Sequence, residues 1–319
     1  MQKKLSLKDA IQRSGASGSS TAPVSRCALA KALECCGGRG YSYKIEGAFV
    51  QAQKCDCVKN CSECFGRARK TENGFSKPCR EPNPSVVMQN INTASIPARY
   101  CESQLKKFSN FTGSGQKVVK QVGQWFVQYM KSRSGPGMII HGPVGVGKTY
   151  LLAALAKGLL ERGVSVKFVD FFDLLSQLRN AYTQNQADKS ILEPLTTVEV
   201  LFIDELGKGR NSEWELSIID QLVMGRYNQN KVIIASTNYG LARKTEGQRW
   251  QMPLDHFETP KNNFQTDQFD SLEVRVGQRI FSRLVEICEI TELTGNDFRK
   301  SRLAQSEGLV VHKVNELYE

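Results

Sequence analysis

The 319-residue chain is 40% hydrophobic and 24% charged, enough apolar material for a packed core and too much for a disordered or collagen-like polymer. Its formal charge of +11 is lopsided: residues 1–136 hold 22 Lys and Arg against 8 Asp and Glu, and the remainder is slightly acidic. Apolar runs such as Tyr150–Ala156 fall far short of the ~18 residues that span a bilayer, and the N-terminal lysines lead into no apolar signal segment, so a cytoplasmic protein in a reducing compartment is expected.

Residues 1–25 open with a short helical pattern (Leu5–Arg13) and turn Gly/Ser-rich, which predicts a flexible basic arm. Residues 26–80 form a cysteine-rich module holding eight of the ten cysteines but few large aliphatics, too little for much hydrophobic core. Without an export signal, thiolate ligation of zinc is the better reading than disulfides. Cys61-Ser-Glu-Cys64 has the CxxC spacing that lets two thiolates share one tetrahedral ion, and Cys55-x-Cys57 is a second tight pair. The candidate zinc ligands are Cys35, Cys36, Cys55, Cys57, Cys61, Cys64 and Cys79, with one or two ions left open and spare thiols as the alternative. Cys101 and Cys288 stand alone and read as packing residues. The module also carries Lys54, Lys59, Arg67, Arg69, Lys70, Lys77 and Arg80, a charge excess suited to DNA phosphates or to a solvated arm.

Residues 81–95 read as a proline-containing linker, and an ATPase domain follows over 96–319. Val118, Val119, Val122, Trp125, Phe126 and Tyr129 recur at helical spacing and predict a helix over 115–133. Thereafter short apolar runs (138–140, 164–170, 198–203, 231–237) alternate with helical stretches (149–163, 172–182, 213–228). That alternation predicts an α/β fold with a parallel sheet sandwiched by helices. A polar stretch at 240–270 has no periodicity, and helices return at 276–286 and 297–305.

Residues 142–149 read GPVGVGKT, matching GxxxxGK(S/T) between a predicted strand and a helix. The phosphate-binding set is Gly142, Pro143, Val144, Gly145, Val146, Gly147, Lys148, Thr149 and Tyr150. The glycines let backbone N–H groups curl toward phosphate oxygens, Lys148 bridges the β- and γ-phosphates of ATP, and the Thr149 hydroxyl holds Mg²⁺. VEVLFIDELG ends a buried strand in two acids: Asp204 for Mg²⁺ and Glu205 to polarise the attacking water. VIIASTNYG ends a third strand in Ser236-Thr237-Asn238, where a polar side chain orients that water.

Taken together, GPVGVGKT, VEVLFIDELG, VIIASTNYG and RVGQRIFSRLVE resemble the AAA+ ATPases, and more narrowly the DnaC/DnaI helicase loaders and the related IstB transposition helpers. ASIPARY, FVDFFDLLSQLRNAY and ITELTGNDFRKSRL fit the same resemblance, which covers roughly residues 95–305. It implies ATP hydrolysis at a subunit interface, with Asn238 as sensor 1, Arg283 (or Arg279) as the arginine finger and Arg299 (or Arg302) as sensor 2. A planar, permanently charged donor suits the spreading charge of a transferred phosphoryl group. The resemblance also implies a replicative helicase, single-stranded DNA and further copies of the chain as partners. Phe171, Phe172 and Tyr239 are candidate base-stacking groups, with buried packing the better reading for the two phenylalanines. The 240–270 stretch departs from the family pattern. The alternatives are a transposition helper and, from another class, a P-loop kinase for a small metabolite.

Overall fold

The computed structural model describes residues 36, 39–56, 69–78, 82–110, 114–184, 188–241 and 271–298. The basic arm, most of the cysteines, most of the 240–270 stretch and the 299–305 segment lie outside the described residues. β1 (Tyr41–Glu46) and β2 (Phe49–Lys54) form one antiparallel hairpin, and β3 (Arg69–Glu72) and β4 (Phe75–Pro78) a second. The second turns on Asn73-Gly74, both at positive φ, the pair a two-residue hairpin loop favours.

The stretch expected to be a linker folds instead as α1 (Pro84–Ala94). Its prolines misled the sequence reading. Pro84 occupies the first turn, where no N–H is needed, and Asn83 caps the helix by accepting from Ser85 N at 2.9 Å. Val87, Ile91 and Ala94 then bury one face. Tyr41, Val50 and Ala52 of the first hairpin pack onto the main hydrophobic cluster built by the helices and the central sheet.

Two short 3-10 turns lead to α2 (Gly115–Ser132), whose Val118, Val119, Val122, Trp125, Phe126 and Tyr129 are buried as expected. The chain then alternates through β5 (Gly137–His141), α3 (Lys148–Leu160), β6 (Val166–Asp170), α4 (Phe171–Thr183), α5 (Lys189–Thr197), β7 (Val200–Asp204), α6 (Glu213–Tyr227) and β8 (Val232–Thr237). After the 240–270 stretch come α7 (Leu272–Val276), α8 (Gln278–Ile287) and β9 (Cys288–Glu292). The last five strands form one parallel sheet in the order β6-β7-β8-β5-β9. Both faces are covered, and neighbours along a strand split between them: Met138, Ile140, Val200 and Phe202 face α1, α2, α3 and the first hairpin, while Ile139, Leu201 and Ile203 face α4, α5, α6, α7 and α8.

Arg226 is fully buried and works as a polar bolt. Its guanidinium donates to Leu195 O, Val198 O, Glu199 O and Val232 O at 2.6–3.1 Å, tying α6 to the chain entering β7 and β8. Cys101 and Cys288 are buried packing residues, and burial pushes the Cys288 thiol up to about 12. No helix among the described residues is long and apolar enough to cross a membrane.

Candidate nucleotide site

In an open parallel sheet the carboxyl ends of the strands face a crevice where the strand order reverses. Here β5 lies between β8 and β9, so its C-terminal loop opens beside the end of β8, with the end of β7 one strand further on. That loop is 142–147. Gly142 (φ 154°) packs so tightly that an added Cβ would stand 2.0 Å from Leu293 O. Gly145 (φ 84°) lies against the Asp297 carboxylate, and Gly147 (φ 97°) precedes α3 and touches the Phe108 ring. Pro143 and Val144 are exposed on the outer curve, while Val146 is buried beneath it.

Lys148 opens α3, only 7% exposed, and its Nζ donates to Gly142 O at 2.8 Å and Pro143 O at 2.7 Å. The ammonium is therefore held within its own loop, where phosphate oxygens can replace the carbonyls. Thr149 Oγ1 donates to Asp204 Oδ1 at 3.1 Å, so a hydroxyl and a carboxylate from two elements already converge. That pair fits an octahedral Mg²⁺, which takes few protein ligands and completes its shell from phosphate and water. Tyr150 is half-buried, its hydroxyl exchanging hydrogen bonds with the Gln104 backbone, and its ring lies 5.8 Å from that of Phe108.

Asp204 ends β7 with 6% exposure. Burial pushes its carboxyl above the usual carboxylate range, while hydrogen bonds from Ser236 and Thr149 pull it back down. Glu205 follows at φ 55°, more open to solvent, with its N–H on Ser236 Oγ at 3.2 Å and its carboxylate on Lys208. The third strand contributes differently from expectation. Ser236, buried in β8, donates to Asp204 and accepts from Glu205, and Thr237 Oγ1 donates to Leu206 O at 2.8 Å. Asn238 is exposed just past the strand end. Ser236 and Thr237 close an apolar strand, and only the placement of β8 beside β7 shows which side chain meets the acids.

Arg279 and Arg283 are not brought to this chain's own loop. Both lie on α8, packed toward α6: Arg279 faces Asp220 at 3.8 Å with a 68% exposed side chain, and Arg283 sits 5.6 Å from the Tyr227 ring centroid. Arg299 and Arg302 lie outside the described residues. Of the candidate zinc ligands only Cys36 and Cys55 are described. Both are buried, Gly40 N donates to Cys36 Sγ at 3.3 Å, and Cys55 N donates to Gly40 O at 3.0 Å. Cys35, Cys57, Cys61, Cys64 and Cys79 lie outside. Among the described residues no group of three or more His, Cys, Asp or Glu gathers as a metal site. Phe171 is buried, Tyr239 is half-buried with its hydroxyl accepting from Arg275 at 2.7 Å, and Phe172 is 48% exposed.

A parallel sheet in this order, a glycine loop with its lysine, and an acid pair at the end of β7, one strand removed across β8, define an ATP-binding P-loop domain of the AAA+ type. The profile of the IstB-like ATP binding protein family matches residues 85–245, half of the chain, and the chain belongs to that family. The chain is 30% identical over 122 residues to the replicative helicase loader DnaC of Escherichia coli K12, a stretch covering 37% of this chain and 50% of that protein. It is 32% identical over 131 residues to the insertion sequence IS21 putative ATP-binding protein of Pseudomonas aeruginosa, covering 41% and 47%. The chain thus spans about half the length of the curated relatives it matches. A crystal structure of the DnaC helicase loader aligns at 25% identity and a TM-score of 0.48, over 61% of this chain and 99% of that one.

Proposed function

We propose that the protein hydrolyses ATP and uses the cycle to load a replicative helicase onto DNA. The observation that carries the ATPase reading is the convergence of Thr149, Asp204, Ser236 and Glu205 at the ends of three elements beside the glycine loop. The triphosphate lies in the loop 142–147, with Lys148 on its terminal phosphates. Thr149 and Asp204 hold Mg²⁺, directly or through water, and the ion when bound neutralises phosphate charge. Glu205 takes the proton of the attacking water, Ser236 fixes the two acids relative to each other, and Asn238 faces the water from the adjacent strand end.

The helicase reading comes from the likeness to DnaC. The alternative, a helper of transposition, is favoured by the family profile and by the IS21 relative. Capture of a helicase or of a transposase by the ATP-locked protein separates the two. Arg283 or Arg279 serves as a finger toward a neighbouring protomer, supported by the solvent-facing position of Arg279 on α8. Single-stranded DNA is the proposed nucleic acid. Phe172 and Tyr182 are about half exposed on α4, and Arg179 beside Trp214 adds a cation and a further ring for stacking.

Zinc in the cysteine-rich region belongs to the same proposal, supported by the buried Cys36 thiol accepting from a backbone N–H. Metal analysis should find zinc, and chelation should unfold the region; a metal-free protein with unchanged circular dichroism rejects it. The test of the ATPase reading is Glu205→Gln. ATP binding should persist while turnover falls by roughly 10²–10⁴-fold. Wild-type hydrolysis by this variant rejects Glu205 as the base.

A further inference from the structure

The turn after β7 is unusually constrained. Glu205 takes a left-handed φ of 55°, a conformation non-glycine residues seldom hold without support. Its N–H is tied to Ser236 and its carbonyl accepts from Lys208 N at 3.0 Å, which closes the turn. The closure brings the Lys208 side chain back onto the Glu205 carboxylate, where Nζ bonds Oε2. The turn also has a firm back. A Cβ on Gly207 (φ 86°) would stand 3.1 Å from the Arg275 Cβ of α7, and Arg275 itself reaches Gly209 O at 3.4 Å. Asp170 and Asp204 end β6 and β7 at paired positions, so Lys208 sits in the field of three carboxylates, Asp170, Asp204 and Glu205.

We propose that Lys208 is a positioning residue that restrains Glu205, so that hydrolysis requires the Lys208–Glu205 ion pair to open. This rests on Glu205 being the base. In the reaction the water oxygen bonds the γ-phosphorus, the bond from that phosphorus to the bridging oxygen breaks, ADP leaves, and the water proton passes to the Glu205 carboxylate. An ammonium hydrogen-bonded to that carboxylate holds it in one orientation and occupies an oxygen that would otherwise face the water. The glutamate becomes a full acceptor once the lysine turns away, and Lys208, about half exposed, has room in solvent to do so.

The test is steady-state turnover of the full chain carrying Lys208→Ala, Lys208→Arg, and Lys208→Ala combined with Glu205→Gln. An exposed ion pair is worth little in free energy, so Lys208→Ala should raise kcat by about two- to fivefold with KM for ATP unchanged. Lys208→Arg should restore the wild-type rate, and the double variant should show no rise. A fall or no change in kcat for Lys208→Ala, a change confined to KM, or a rise that survives in the Glu205→Gln background overturns the restraint. Failure of the underlying reading looks different: Glu205→Gln alone then turns over at the wild-type rate. Loss of turnover in Glu205→Gln with no gain in Lys208→Ala overturns the restraint alone.

Discussion

The nucleotide end of the sheet and the N-terminal hairpin β1–β2 are both fastened to the same helix, α3, by different means. At its N-terminus the contacts are buried and redundant: Lys148 has two carbonyls, and Asp204 accepts from two hydroxyls on separate elements. Near its C-terminus the hairpin packs Tyr41, Val50 and Ala52 into the core, but its charged contacts to the helix end are half-exposed. Tyr43 and Arg39 both donate to the Glu161 carboxylate, at 2.8 and 3.2 Å, and Lys157 lies 4.7 Å from the Tyr43 ring centroid. Two backbone bonds, Val50 N to Ile96 O and Ala98 N to Ala48 O, complete the attachment with Asn92, which brackets Ala52. Buried polar networks hold one geometry because every member left unpaired is costly, whereas half-exposed pairs lose less to water. The phosphate loop should therefore keep its shape while the hairpin separates first.

The strongest way to break that contrast is Arg226→Met, which takes the donor from four carbonyls, two of them in fully buried contacts. It should cost about 3–5 kcal/mol in urea unfolding. A loss below ~1 kcal/mol would show that the sheet's connections do not depend on the bolt. Gly145→Ala strikes the loop itself. Its Cβ would stand 2.1 Å from the Asp297 carboxylate on a backbone at φ 84°, so a strain of roughly 1–3 kcal/mol should appear as ATP binding weakened about tenfold. Unchanged affinity would mean that Asp297 and its segment move aside freely. The smallest effect is expected at the other attachment. Tyr43→Phe removes one hydrogen bond to Glu161, about 1 kcal/mol, and should speed amide exchange in Tyr41–Lys54 while leaving ATP affinity alone. Equal acceleration in the phosphate loop would abolish the distinction between the two attachments.

How much could be read from the chain follows the same division. The phosphate loop was legible because its chemistry is packed into eight consecutive residues, and the acid pair because it terminates an apolar run. The parallel sheet followed from alternation, and the buried face of α2 from its periodicity. Helix α1 was not legible, since Pro82 and Pro84 resemble linker punctuation until Asn83 is seen capping a first turn. Nor was the role of Ser236, which depends on β8 lying beside β7. The buried Arg226 and the hairpin's seat on Glu161 were equally hidden. Their partners lie up to 31 and 118 residues away in sequence, and a charged residue in a helical pattern reads as solvated until its surroundings are known.

The central claim is that a triphosphate occupies the loop 142–147 under Lys148. Calorimetric titration of Mg-ATP into the full chain and into Lys148→Ala tests it most directly. The wild-type chain should bind one nucleotide per protomer, and the variant should bind at least about a hundredfold more weakly while unfolding normally. Indistinguishable isotherms for the two proteins would contradict the account.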